Sequence, residues 1–428
     1  VRESVYTTFV LKREERKRLL SGAVLRVALI IGMAELGFAT VIPLLPLYLT
    51  ERLHGSVKLV GLVVSTFAIV ETVFKIIWGS VADRVGRRPL IIGGLLLSSL
   101  APLLMSVLRN PWHFVPLRLL DGLGSAALWP SAAAIMVDLT PSQSRARVMG
   151  LLNMFFLTGL ALGPALGLYV AGFAGSYKAG FYIASALLLV SALTAWRTLW
   201  GVPPSTEGEG DAPASPARNH TGILQSGEWS PLFLSLLSIA FVQMFAAGLL
   251  APILAIYAKR IMGLSEQAIG TLFLFLVLSV GLASLPAGWL ADRVGKRRIV
   301  FLGMLLASAG MWQFVLPPKI ERLAIAAVAL GASYALASPA WLALVSQAAP
   351  PGRTGLAMGA SETVQGLGLV LGPLLGGLLW DGFGYRAPFA ASAVLLTVGL
   401  ILSAVVLLRV PGPPAGSPGR RRGSGTPR

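Results

Sequence analysis

The chain has 428 residues, of which 55% are hydrophobic and 12% charged, with no cysteine and a formal net charge of +17. Soluble domains carry roughly 25% charge, so an ordinary water-solvated globule is excluded, and without cysteine there is no disulfide framework or thiolate chemistry. The three histidines fall in loops, which argues against a metal site, and the basic residues alternate with apolar spans, which argues against a nucleic-acid surface.

Apolar runs of about 20 residues suit a hydrocarbon layer about 30 Å thick, and they recur along the whole chain. They predict twelve helices, over residues 23–50, 57–81, 89–109, 112–137, 146–173, 178–201, 230–260, 266–291, 298–316, 322–347, 354–380 and 385–410. The first run is about twice the length of a signal-peptide core and ends in "ERLHG" without a small-residue cleavage site, so it reads as a retained helix. Between the sixth and seventh runs, "VPPSTEGEGDAPASPARNHTG" is polar and rich in Pro and Gly, as a flexible linker is. The expected layout is an all-α membrane protein: a segment 1–22, a six-helix bundle 23–201, a linker 202–229, a second bundle 230–410 and a basic tail 411–428. With the N-terminus in the cytoplasm, 24 Lys and Arg lie on the cytoplasmic side, 9 on the other and 2 inside spans. That bias predicts a multi-pass protein of the cell membrane with both termini cytoplasmic.

The hairpin "GSVADRVGRR" (79–88) returns as "GWLADRVGKR" (288–297), an offset of 209. The same offset relates Pro43 to Pro252, Tyr48 to Tyr257, Gly61 to Gly270, Gly122 to Gly331, Pro130 to Pro339, Met149 to Met358 and Gly163 to Gly372. A constant register across several helices and loops marks an internal duplication. Each half has an even number of crossings, so the repeats run parallel about a pseudo-two-fold axis along the membrane normal, with a cavity between them.

Gly79, Asp83, Arg84, Gly86, Arg87 and Arg88, with Gly288, Asp292, Arg293, Gly295, Lys296 and Arg297, resemble the GxxxDRxGRR signature of the major facilitator superfamily. Gly86 allows a tight reversal and the arginines suit an anionic leaflet. An Asp at a helix C-terminus opposes the dipole; the resemblance implies that Asp83 latches onto the facing end of the eleventh helix. Asp138 and Arg145 resemble the family's acidic and basic cluster after the fourth helix, where Asp138 can pair with Arg87 or Arg88. Gly159, Gly163, Pro164 and Gly167, and Gly368, Gly372, Pro373 and Gly376, form small-residue stripes suited to close helix approach. They look like the antiporter motif GxxxGPxxGG, although Leu168 replaces the last glycine of the first copy.

Arg118, Gly122 and Gly124 are similar to the RxxxGxG pattern that the family associates with proton coupling, and Arg118 can meet Asp121 at i+3. Glu35 falls near the middle of the first helix, where a carboxylate costs about 2.5–3.5 kcal/mol on insertion scales. A carboxylate kept at that cost can alternate between a proton and a cation. Glu71 can pair with Lys75 at i+4. The second half lacks these acids, Met244 and Val280 standing where the first has Glu35 and Glu71, with Glu362 as its exception. The resemblance places helices 1, 4, 7 and 10 around the cavity, with Phe38, Trp129, Gln243, Met244, Phe245, Tyr334 and Trp341 offering soft and aromatic surface to lipophilic or cationic ligands.

These features predict a twelve-helix drug:proton antiporter, working as a monomer by alternating access, with a small-molecule substrate, protons and membrane lipid as partners and no cofactor. Absence of a GxxxxGK[ST] loop disfavours ATP coupling, and no nucleophile–base pair suggests an enzyme. An uptake or facilitative carrier for a sugar, organic acid or other metabolite is the first alternative, and a non-transporting receptor or scaffold the second.

Overall fold

A computed structural model of the chain describes residues 22–140, 144–199, 229–349 and 353–408. Twelve helices among them are long and apolar enough to cross a membrane. They are α1 (Gly22–Leu47, closed by a π-helical turn Tyr48–Arg52), α2 (Val57–Val85), α3 (Arg87–Val107), α4 (Phe114–Asp138), α5 (Arg145–Ala174) and α6 (Tyr177–Leu199). The second set is α7 (Pro231–Leu250, continued by Ile253–Ile256 and a π turn Tyr257–Ile261), α8 (Glu266–Val294), α9 (Lys296–Val315), α10 (Ile320–Ala348), α11 (Thr354–Phe383) and α12 (Arg386–Ser403).

Local chemistry explains the boundaries. Ser56 and Ser265, 209 residues apart, each accept a hydrogen bond from the backbone N–H three residues on and so cap α2 and α8, satisfying a donor that a helix start leaves orphaned. Sequence periodicity ends the second helix at 81 and starts the third at 89, yet α2 runs to Val85 and α3 begins at Arg87. The reversal is confined to Gly86, whose φ of 96° only glycine adopts readily, and Gly295 repeats it with φ 97° between α8 and α9. The charged hairpin is therefore two helix ends around one residue. The expected single helix over 230–260 is interrupted after Leu250, where Pro252 withholds a backbone donor; its mate Pro43 leaves α1 unbroken.

Within the first half α1 packs on α5 and α6, α2 on α4, and α3 on α4 and α6. The same five pairings recur in the second half, α7 on α11 and α12, α8 on α10, and α9 on α10 and α12. The halves meet along α2 with α11 and α5 with α8, two crossings that the 209-residue shift interconverts.

Apolar burial is uneven along these crossings. One cluster joins the halves, running from Leu44, Val60 and Phe181 to Ile256, Phe314 and Phe389. A second, built on Ile30, Ile91, Met136, Leu152 and Leu188, belongs to the first half alone. The molecule is thus sealed at the end that carries the α1–α2 and α7–α8 loops.

Candidate functional site

At the sealed end the halves are tied by polar contacts. The Lys58 N–H donates to Asp381 Oδ2 (2.7 Å), Ser65 Oγ donates to the Val370 carbonyl (2.7 Å), and the Leu374 N–H donates to Ser65 Oγ (3.1 Å). Across the other crossing the Tyr169 and Thr271 hydroxyls lie 2.8 Å apart, and Tyr177 donates to Glu266 Oε1 (2.7 Å). Gly61 sits against the Pro373 carbonyl and Gly377 against that of Val57, so neither has room for a side chain. Gly270 instead faces Leu168. The departure of Leu168 from the glycine motif is accommodated by the glycine on the opposite helix. Toward the other end the pairs splay: a Cβ at Gly79 and Gly359, or at Gly150 and Gly281, would meet nothing within 4 Å. A cleft between the halves therefore opens at the end of the Gly86 and Gly295 turns.

The glycine stripes govern how the innermost helices approach. Gly159 lies on Gly32 and Glu35, a Cβ at Gly163 would come within 2.5 Å of the Ala39 Cβ, and Gly167 lies on Thr40 and Leu44, all on α1. Gly368, Gly372 and Gly376 do the same against Met244–Phe245, Gly248 and Leu249 of α7. Pro164 and Pro373 sit inside α5 and α11 without ending them.

Inside the first half, charged residues from three helices converge. Arg118 Nη1 lies 2.5 Å from Asp121 Oδ2, with side-chain exposures of 11% and 3%, and the guanidinium also lies 4.0 Å over the Phe67 ring of α2. Ser98 Oγ on α3 donates to the Asp121 carbonyl (3.3 Å). Arg118 Nε and Asp121 Oδ1 have no hydrogen-bond partner. Glu71 Oε1 takes Lys75 Nζ at 2.9 Å and a Ser125 hydroxyl at 3.4 Å, joining α2 to α4. Glu35 on α1 is half-buried and lies against Gly159 of α5. The equivalent positions in the second half, Met244, Val280, Ser284, Ala327 and Leu330, are all uncharged. Arg118 and Asp121 are largely removed from water, whereas Glu71 and Lys75 are 25% and 42% exposed. Among the described residues no group of three His, Cys, Asp or Glu is placed to hold a metal ion.

The remaining candidates scatter more. Phe38 and Trp129 pack on the first-half core, Trp129 against Phe156 at 4.9 Å between ring centres. Trp341 is only 8% exposed and its indole N–H lacks a partner. Phe245 stacks on Phe241, Met244 touches Gly368, Gln243 is half-buried, and Tyr334 and Glu362 are exposed. At the open end Arg87 is ion-paired with Asp138, Arg145 Nε reaches the Thr140 carbonyl at 3.5 Å, and Arg293 lies over Trp289. Arg84 is exposed and Arg88 half-buried, while the Asp83 and Asp292 side chains lie outside the described residues. Phe67, Ser98, Ser125 and the cross-half ties carry no local sequence signal.

The Major Facilitator Superfamily model matches residues 27–244 and 236–427, both repeats in turn. The chain belongs to the Major Facilitator Superfamily. Like other members it is a multi-pass membrane carrier of small molecules and not an enzyme. Among its relatives, Multidrug resistance protein 2 of Bacillus subtilis (strain 168) is 26% identical over 378 residues, 88% of this chain and 92% of the relative. Multidrug resistance protein MdtG of Citrobacter koseri is 29% identical over 375 residues, 86% of this chain and 90% of the relative. Among solved structures, a bacterial homologue of the human lysosomal transporter Spinster, inward-facing and unoccupied, superposes with a TM-score of 0.73 at 19% identity, covering 93% of this chain and 99% of that one. The nucleoside transporter NupG gives 0.73 at 13% identity, covering 91% and 100%. These two likenesses concern the superfamily fold.

Proposed function

We propose that this carrier exports small lipophilic, drug-like molecules, cationic ones foremost, in exchange for protons. The observation that carries the reading is the ionisable set Glu35, Glu71, Lys75, Arg118 and Asp121, gathered in one bundle beside a second bundle that has no counterpart to it. Three acids against two bases leave the set one charge short of neutrality, a deficit that either a proton or a bound cation makes good. Retaining charges in a membrane interior is costly and points to use. Relatives with multidrug resistance names support the efflux direction.

In this reading Glu35 holds the exchanged proton, the Arg118–Asp121 pair and Glu71 respond to its charge, and the aromatic and Met surface of α1, α4, α7 and α10 receives the ligand. The positive-inside bias assigns the open cleft, both termini and the Arg87–Asp138 cluster to the cytoplasm, so the state described is ready to load from inside. Gly79, Asp83 and Arg84 with their repeat mates then hold the opposite state of the cycle.

The test uses purified protein in proteoliposomes, with a lipophilic cation such as tetraphenylphosphonium as probe. An imposed pH gradient drives its movement through the wild type, and Glu35→Gln removes the dependence on that gradient. Flux through Glu35→Gln that still follows the gradient undiminished overturns the assignment.

A further inference from the structure

A residue that touches its own repeat mate lies on the axis relating the repeats. Glu51 and Arg260 are such a pair: they stand 209 positions apart, the offset that also relates the flanking Tyr48 to Tyr257 and Ser56 to Ser265. Arg260 Nε donates to Glu51 Oε1 at 2.6 Å, and Nη2 to the Thr50 carbonyl at 2.6 Å. Both residues sit in π-helical turns at matching places, Tyr48–Arg52 ending α1 and Tyr257–Ile261 ending α7. Such turns are rare and collect at functional positions.

Identical halves would set like charge against like at this point. Divergence to Glu on one side and Arg on the other converts the self-contact into an attraction. Beside it lies a cavity of about 350 Å³ lined by Glu51, Arg52, Tyr177, Lys259 and Glu266, in which Lys259 Nζ holds Glu266 at 2.8 Å. The pair is 37% and 27% exposed. Water reaching it keeps the attraction modest and reversible, as a contact that must part in every cycle requires.

We infer that Glu51 and Arg260 are positioning residues that hold the sealed end shut on the pseudo-two-fold axis, and that the two positions are interchangeable in sign. The inference rests on alternating access but not on any substrate or on protons. It differs from the charged hairpins at the opposite end, and from the Tyr177–Glu266 and Lys58–Asp381 ties, which lie off the axis and join unlike positions.

The chain has no cysteine, so Lys178→Cys on α6 and Lys319→Cys before α10, both exposed at the sealed end, give a clean spin-label pair across the halves. In the wild type a short distance dominates. Arg260→Ala lowers the ratio of short to long distances about two- to fivefold, the range of a part-exposed ion pair, and Arg260→Glu lowers it further. The exchange Glu51→Arg with Arg260→Glu restores the wild-type ratio, because the axis makes the sites geometrically equivalent. Monodisperse size-exclusion profiles establish folding, and Glu51→Ala provides the same readout should a reversal not fold. Singles that leave the ratio unchanged, or an exchange as shifted as its singles, overturn the inference. Loss of pH-driven flux with these distances behaving as stated would instead count against the proton-coupled reading alone.

Discussion

Deleting Asp121 tests whether the charges of the first half act as a bound set. Arg118 and Asp121 are 11% and 3% exposed and 2.5 Å apart, so Asp121→Leu strands a guanidinium that still lies over the Phe67 ring. Removing one member of a buried pair costs about 3–5 kcal/mol. The cation–π contact with Phe67 is present before and after the substitution and so cancels, leaving the expected loss at about 3–5 kcal/mol. Replacing both residues by leucine removes the stranded charge, and such apolar replacement is often neutral or stabilising by about 1–4 kcal/mol. The double variant should therefore unfold later than Asp121→Leu alone, at or above the wild-type midpoint. Tryptophan-fluorescence unfolding in mixed micelles, analysed as a double-mutant cycle, gives the coupling. Equal stability of the single and double variants would refute the claim that the pair is a desolvated unit. Flux in the stable double variant then separates packing from use: a carrier that needs the pair for ion exchange folds but does not respond to a pH gradient.

Further tests follow from the glycines, the polar ties and the open-end cluster. Gly372→Val, where an added Cβ would come within 2.5 Å of the Gly248 backbone, should lose at least about 1–3 kcal/mol by overpacking α7 on α11, whereas Gly79→Ala meets nothing within 4 Å and should match the wild-type unfolding midpoint within about 1 kcal/mol. Ser65→Ala removes one bond to Val370 and another from Leu374; at about 1 kcal/mol each it should favour opening of the sealed end, seen as faster alkylation of a cysteine introduced at Thr271. Asp138→Asn, partner of a roughly one-third-exposed Arg87, should change stability by less than about 1 kcal/mol, measured by the same unfolding assay with and without high salt.

Contacts set by helical spacing were readable from the chain. Arg118 with Asp121 at i+3 and Glu71 with Lys75 at i+4 share a helix face by geometry alone, and the duplication announced itself through a constant offset. The glycine stripes were legible for the same reason, since residues four apart line up on one side of a helix. What joins different helices was not. Nothing local to Phe67 says that it underlies Arg118, nor to Ser65 that it serves two backbone groups of α11; both follow from helix crossings, the second between residues more than 300 positions apart in the chain. The turn at Gly86 was shorter than periodicity implied because charge and glycine read as loop, while a single positive φ lets both helices continue through the charged residues. The scattered aromatic candidates show the remaining gap: residue type suggested a cavity lining, but rotation about each helix axis placed Trp341 in the core and left Tyr334 exposed.

The lopsided charge distribution also bears on how the chain is made. During synthesis a helix entering lipid alone pays for every charge it carries. In the second half, Glu362 apart, charged residues gather toward helix ends, as with Glu266, Glu321, Asp381 and Arg386, so most of its segments can partition into the bilayer one at a time. The first half emerges earlier and is the harder to insert: α4 brings its own counter-ion, α2 brings Lys75 with Glu71, but α1 arrives with Glu35 and no basic residue beside it in mid-span. Its settled position depends on segments still to be translated, which makes the opening helix the one for which insertion machinery or a delayed release from the ribosome exit matters most.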